Sequence, residues 1–124
     1  MSLPITEREI EAYRKYARRR WEQEQYALRQ RKAKAWELAR QAALVLKEQF
    51  GASRVAVFGS LLHERGFHSR SDIDLVVWGL PEKDYFRALG KLLSLDPDFE
   101  FDLLEFENTS PRLQAAITRE AIEV

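Results

Sequence analysis

The 124-residue sequence predicts a small α+β fold: a mixed sheet of three strands or slightly more with helices packed on it, preceded by a long N-terminal helical extension. Three observations predict it. Residues 5–50 contain neither glycine nor proline and are dominated by helix formers. Three short runs rich in valine, isoleucine, leucine and phenylalanine then follow, at Arg54–Gly59, Asp72–Trp78 and Phe99–Phe106. Between and after those runs lie segments with helical spacing of apolar residues.

Each element has its own start and stop. Thr6 with Glu9 three residues on forms a capping-box pattern, and Gly51 offers a stop, so a helix is expected between them, roughly 65 Å long at ~1.5 Å per residue. Its apolar stripe (Ile10, Tyr13, Ala17, Trp21, Leu28, Ala35, Leu38, Ala42, Val45) is interrupted by Glu24 and Arg31. The last third is the most apolar and is expected to pack on the domain. The first two thirds should project, fold back or bind a second chain.

RVAVFG reads as a short buried strand ended by glycine, followed by a loop or short helix through His68. DIDLVVW is the second strand, with Asp72, Asp74 and Val76 on one face and Ile73, Leu75 and Val77 on the other. Pro81 opens a helix whose apolar face is read as Tyr85, Phe86, Leu89, Leu92 and Leu93. FEFDLLEF is the third strand, with Glu100, Asp102 and Leu104 opposite Phe99, Phe101 and Leu103. Ser110 and Pro111 cap a final helix that runs to about Ala121. This divides the chain into a helical extension, 1–50, and a domain, 51–124.

Composition excludes more than it assigns. There is no cysteine, so disulfides, thiolate metal sites and cysteine nucleophiles are ruled out. The N-terminal MSLPITEREIEAYRKYARRR lacks the apolar core of a signal peptide or membrane span, which favours a cytoplasmic protein with no membrane partner. The 20 basic and 20 acidic residues balance overall but not locally: residues 1–50 carry 12 and 7, residues 51–124 carry 8 and 13. A basic helix beside an acidic domain suggests two parts with different jobs. Glu7, Glu9, Glu11, Glu22, Glu24 and Glu37 dilute the basic clusters, so a solvated helix face is preferred to a nucleic-acid grip. The tyrosines and tryptophans of this segment are read as packing groups, and His63 and His68 as solvated.

Three acids sit where a buried strand would place apolar groups, and a buried charge without a partner is costly. Asp72 and Asp74 lie about 7 Å apart on one face at ~3.4 Å per residue, a spacing suited to gripping metal ions between them. Asp102 is a third acid in an apolar strand. Magnesium takes one or two carboxylates, keeps several waters and completes its shell with substrate phosphates, so a cation would supply the missing compensation. Upstream, Gly59 lets a ligand approach the backbone and Ser60 offers a hydroxyl beside amide groups. A phosphate binder beside three carboxylates implies phosphoryl or nucleotidyl transfer. Singly, each feature has a plain structural reading, such as an edge-strand charge facing solvent.

The ordered set, strand, Gly59-Ser60, Ser71-Asp72-Ile73-Asp74-Leu75 and then Asp102 in FDLLEF, resembles the DNA polymerase β-type nucleotidyltransferase superfamily. More narrowly it is similar to the minimal nucleotidyltransferases (MNT), encoded beside HEPN proteins in prokaryotic toxin-antitoxin pairs. The resemblance covers residues 51–124 and implies a nucleotidyltransferase fold. It implies that Gly59, Ser60 and Ser71 bind the nucleotide, that Asp72, Asp74 and Asp102 ligate two Mg2+ ions, and that Asp102 assists deprotonation of the attacking hydroxyl. The substrate would be ATP, and AMP would pass to a tyrosine hydroxyl of a cognate HEPN toxin, making this chain an antitoxin and a protein adenylyltransferase. The alternative is an antitoxin with little catalysis that neutralises its partner by contact through the N-terminal helix, a helix that also offers a surface for homo-oligomerisation. Many relatives carry an arginine directly after Gly-Ser and a second glycine soon after, whereas this chain has Leu61, Leu62 and a later Gly66, which leaves Arg65 or Arg70 as the substitute charge.

Overall fold

In a computed structural model describing residues 4–63 and 66–124, one long helix, α1 (Glu7–Phe50), leads into a four-stranded mixed sheet. Thr6 caps α1 by accepting a hydrogen bond from the Glu9 N–H, and Gly51 ends it in the left-handed conformation (φ 73°). The strands are β1 (Arg54–Phe58), β2 (Ile73–Trp78), β3 (Phe101–Glu105) and a two-residue β4 (Ile122–Glu123). Their order is β3-β2-β1-β4, with β1 antiparallel to β2 and β4, and β2 parallel to β3. Helix α2 (Tyr85–Leu93) makes the crossover between the parallel pair, and α3 (Pro111–Glu120), capped by the Ser110 hydroxyl, leads back to β4.

The alternation expected in β2 and β3 is observed. Ile73, Leu75, Val77, Phe101 and Leu103 join Val55 and Val57 in the core beneath α1 and α2. Helix α1 contributes Ala35, Leu38, Ala39, Ala42, Ala43 and Leu46, and its four alanines bring the helix backbone close to the sheet. On the other face, Ala56 and Val76 are buried and Ile117 of α3 is 1% exposed, while Trp78 stacks on Phe106 at 4.8 Å between ring centroids. That cover leaves the Asp74 and Asp102 half of the face open.

Three expectations are corrected. Phe86 is 83% exposed and Leu93 is also exposed, so the buried residues of α2 are Ala88 and Leu92. A single 3-10 turn over Glu82–Asp84 precedes the helix, and α2 begins at Tyr85 rather than at Pro81. Tyr13, Tyr16, Trp21 and Tyr26 are 60–70% exposed and pack on nothing in this chain. The strand β4 is an addition, too short to leave a periodic pattern in sequence. It is held by pairing to β1 and by the Val124 N–H donating to the Val55 carbonyl at 2.9 Å.

Chain direction decides where α1 goes. The tight turn after Gly51 sends β1 back along the helix, so α1 passes the end of the sheet where β1 finishes and β2 and β3 begin. Lys32 Nζ donates to the His63 carbonyl there (3.1 Å) and Arg31 Nη2 to the Asp98 carbonyl (2.9 Å). Glu7–Ala27 then extends beyond this end as an arm of about 30 Å at 1.5 Å per residue. Among the described residues no helix is long and apolar enough to cross a membrane.

This division of α1 makes a prediction for truncations. A chain starting at Leu28 is expected to keep a cooperative fold, because the arm it lacks buries almost nothing within the chain. A chain starting at Gly51 loses fully buried Leu38 and Leu46 with four alanines, and each lost leucine costs about 2–5 kcal/mol against a total stability of about 5–15 kcal/mol. Thermal unfolding followed by circular dichroism should show a cooperative transition for the first and none for the second.

Candidate active site

The acids gather at the end of the sheet that α1 passes. Asp72 is exposed one residue before β2, Asp74 is half-buried as the second residue of β2, and Asp102 is exposed as the second residue of β3. Parallel register places Asp74 directly beside Asp102, across strands about 4.8 Å apart. On its other side Asp74 is in register with Phe58, the last residue of β1, and the chain then turns at Gly59.

Gly59 is required there for two reasons. Its φ of 75° is left-handed, and a Cβ on it would lie 3.0 Å from the Asp74 Cγ and 3.2 Å from its Cβ. The glycine therefore opens the space that the Asp74 carboxyl occupies. Residues Gly59–Leu62 form a single 3-10 turn with Ser60 half-buried at its second position. The turn thus brings Gly59 against Asp74, which stands beside Asp102, residues far apart in sequence.

The electrostatics of this group are uncompensated. Burial first, then the neighbouring Asp102 and Asp72 charges, push the Asp74 carboxyl up from 3.8 to about 6. Among the described residues no ion pair reaches any of the three acids. Nor do any three or more carboxylate or imidazole side chains among those residues converge tightly enough to hold a metal ion by themselves. The donors are hard carboxylate oxygens in an open, glycine-floored recess, which fits magnesium, since that ion completes its shell with water and substrate phosphate oxygens.

A pH dependence follows with a definite sign. Asp74 titrates near 3.8 in the unfolded chain and at about 6 in the fold. Between those values the folded state binds more protons, so this group's contribution to stability falls as pH rises from 3.8 to about 6 and is flat above it. Metal-free protein should show this loss in thermal melts at stepped pH. Saturating Mg2+ should reverse the trend, because the cation binds the ionised form.

The remaining predicted residues are placed as follows. Ser71 is buried, and its hydroxyl accepts from the His68 N–H at 2.9 Å, bracing the loop into β2. That hydroxyl keeps its own proton to donate. Leu61 is fully buried and Leu62 packs against the core, so both positions after Gly59-Ser60 are used for packing. Arg65 lies outside the described residues. Arg70 is exposed and, with Arg31, Ser71, Asp72 and Asp98, lines a cleft of about 370 Å3 beside the acids. His63 and His68 are exposed, as expected.

Two residues near the site escaped sequence reasoning. Arg31 reaches the cleft from α1, its guanidinium 4.0 Å from the Phe99 ring centroid and its Nε buried without a partner. The signal was visible: an arginine breaking an apolar stripe. Tyr85, read only as packing, donates its hydroxyl to the Leu103 carbonyl at 2.7 Å on the free edge of β3. Burial, then Asp102 and Glu105, raise its pKa, which places the phenol in the field of the third acid.

A glycine turn against an acid of one strand, with another acid in register on the parallel neighbour, defines the α+β nucleotidyltransferase class. The family model described as polymerase beta, nucleotidyltransferase, matches residues 40–124, and the chain belongs to that family. Among solved structures it is similar to one assigned as a minimal nucleotidyltransferase, with 32% identity and a TM-score of 0.56, over 82% of this chain and 96% of that one. A toxin-antitoxin crystal structure with AMP-PNP matches at 22% identity and TM-score 0.55, over 67% of this chain and 69% of that one. The toxin-antitoxin MntA-HepT matches at 18% and 0.54, over 71% and 69%. These last two show the shared fold. Comparison with the curated proteins gives no match.

Proposed function

We propose that this chain is a Mg2+-dependent protein adenylyltransferase of the cytoplasm that transfers AMP from ATP to a tyrosine hydroxyl of a HEPN-type toxin, and so acts as its antitoxin. The observation that carries the reading is the uncompensated set Asp72, Asp74 and Asp102 beside the Gly59 turn. Its fold neighbours include toxin-antitoxin structures, one with AMP-PNP. The three carboxylates would hold one or two Mg2+ ions, which neutralise charge on the triphosphate when bound. Gly59 seats the Asp74 carboxyl at the turn where the nucleotide would bind, and Ser60 and Ser71 would supply hydroxyl donors to it. Asp102, on the open side of the pair, would receive the proton of the attacking hydroxyl. The new bond forms between that oxygen and the α-phosphorus, and pyrophosphate leaves.

The test is transfer of label from α-labelled ATP, with Mg2+, to a purified HEPN-type toxin. Asp72→Asn should abolish it. Labelling undiminished in that variant would refute the assignment. The exposed arm favours a second reading, neutralisation by contact with little catalysis. Protection by Asp72→Asn chains that disappears on deleting residues 1–27 would select it.

A further inference from the structure

The N-terminal arm carries surface that a lone chain has no use for. The chain exposes 9071 Å2, against about 6,900 Å2 for a compact monomer of its 14.6 kDa. The excess exceeds the ~800 Å2 that each partner buries in a standard stable interface. We propose that a second copy of this chain takes it up: the arm of each copy lies on the acidic rim of the other, formed by Asp96, Asp98 and Glu100, in a reciprocal two-fold dimer.

Four observations carry this. The middle of the arm, Ala12 to Trp21, holds five basic residues and no acid between the flanking glutamates, while Asp96, Asp98 and Glu100 on the turn into β3, with Asp72, outnumber the Arg31 and Arg70 that line the same cleft. The two surfaces are complementary across copies. Ile10, Tyr13 and Trp21, at 37%, 70% and 60% exposure, continue the same helical face that farther along carries the buried Ala35, Leu38 and Ala42. That face overhangs the site end of the sheet and so presents its apolar groups to whatever docks there. Finally, α1 has no glycine or proline to break it, so the arm cannot fold back on its own rim. Two-fold pairing satisfies both arms and both rims at once.

The arrangement brings the arm of one copy beside the catalytic end of the other. An acceptor reaching Asp102 would then meet residues of both chains. The dimer contact itself does not depend on the proposed chemistry.

Sedimentation equilibrium of the full chain at micromolar concentration and low salt should give twice the chain mass, falling towards the monomer as salt rises. Arg14→Glu with Arg18→Glu, on the arm beside Ile10 and Trp21, should halve the mass. So should Asp98→Lys with Glu100→Lys, on the rim, in a separate protein. Mixing the two should restore a one-to-one dimer, because both arm-rim contacts are then complementary, and this recovery also shows that each variant is folded. A monomeric native chain overturns the proposal. So does a dimer that survives arm reversal, a mixture that stays monomeric, or a monomer whose arm instead binds single-stranded RNA with steep salt dependence.

Discussion

Asp74→Asn is expected to abolish nucleotidyl transfer and, in the same protein, to raise the melting temperature of the metal-free form. The two effects have one cause. Asp74 sits half-buried between Asp102 and Asp72, and the resulting cost of its charge lifts its pKa to about 6. Asparagine keeps the shape and removes the charge. After discounting for partial exposure, that relief stabilises the metal-free fold by about 1 kcal/mol, or about 4 °C for a chain of this size. The charge it removes is the one best placed to hold a cation against the triphosphate, so transfer should fall by at least about 10³-fold. The measurement pairs label transfer from α-labelled ATP with melts in chelator at pH 7.5. A variant that transfers at the native rate sinks the catalytic role, and one that melts lower without metal sinks the electrostatic account. The stability gain should vanish at pH 4, where native Asp74 is protonated in the fold.

Gly59→Ala should be damaging out of proportion to one methyl group. The left-handed backbone at φ 75° costs an alanine about 1–2 kcal/mol. The new Cβ would also crowd the Asp74 side chain from 3.0 Å and force the carboxyl out of its recess. A combined loss of about 2–3 kcal/mol lowers the melting temperature by about 10 °C. The control is Gly51→Ala at φ 73°, where nothing lies within 4 Å and only the backbone cost remains. A smaller shift at Gly51, with transfer retained there and lost at Gly59, identifies the crowding of Asp74 as the decisive part. Equal shifts and equal activities at the two glycines would show that the close approach is unimportant.

Both predictions concern residues that the sequence displays, and the reason is local. A charge in an apolar run and a glycine at the end of a strand violate the pattern around them, so Asp74, Asp102 and Gly59 stand out unaided. Strand faces are equally visible, because period-two alternation leaves only one way to bury Ile73, Leu75 and Val77 together. Helix α2 shows the opposite case. Its apolar residues fill a broad arc on one side of the helix, and which edge of that arc is covered depends on the neighbours, so Phe86 reads as core and is the most exposed large apolar residue described.

Local pattern therefore determines α1, the three longer strands and their faces, α3, the three acids and the uneven spread of charge along the chain. Tertiary structure alone decides what those features meet. Parallel pairing sets Asp74 beside Asp102, 28 residues later in the chain. The turn after Gly51 carries Arg31 and Lys32 past the acids and leaves the arm uncovered. Register and chain direction are fixed by contacts between distant segments, whose free energy appears only once both are present. The acids of the sequence become one site only when the sheet has formed.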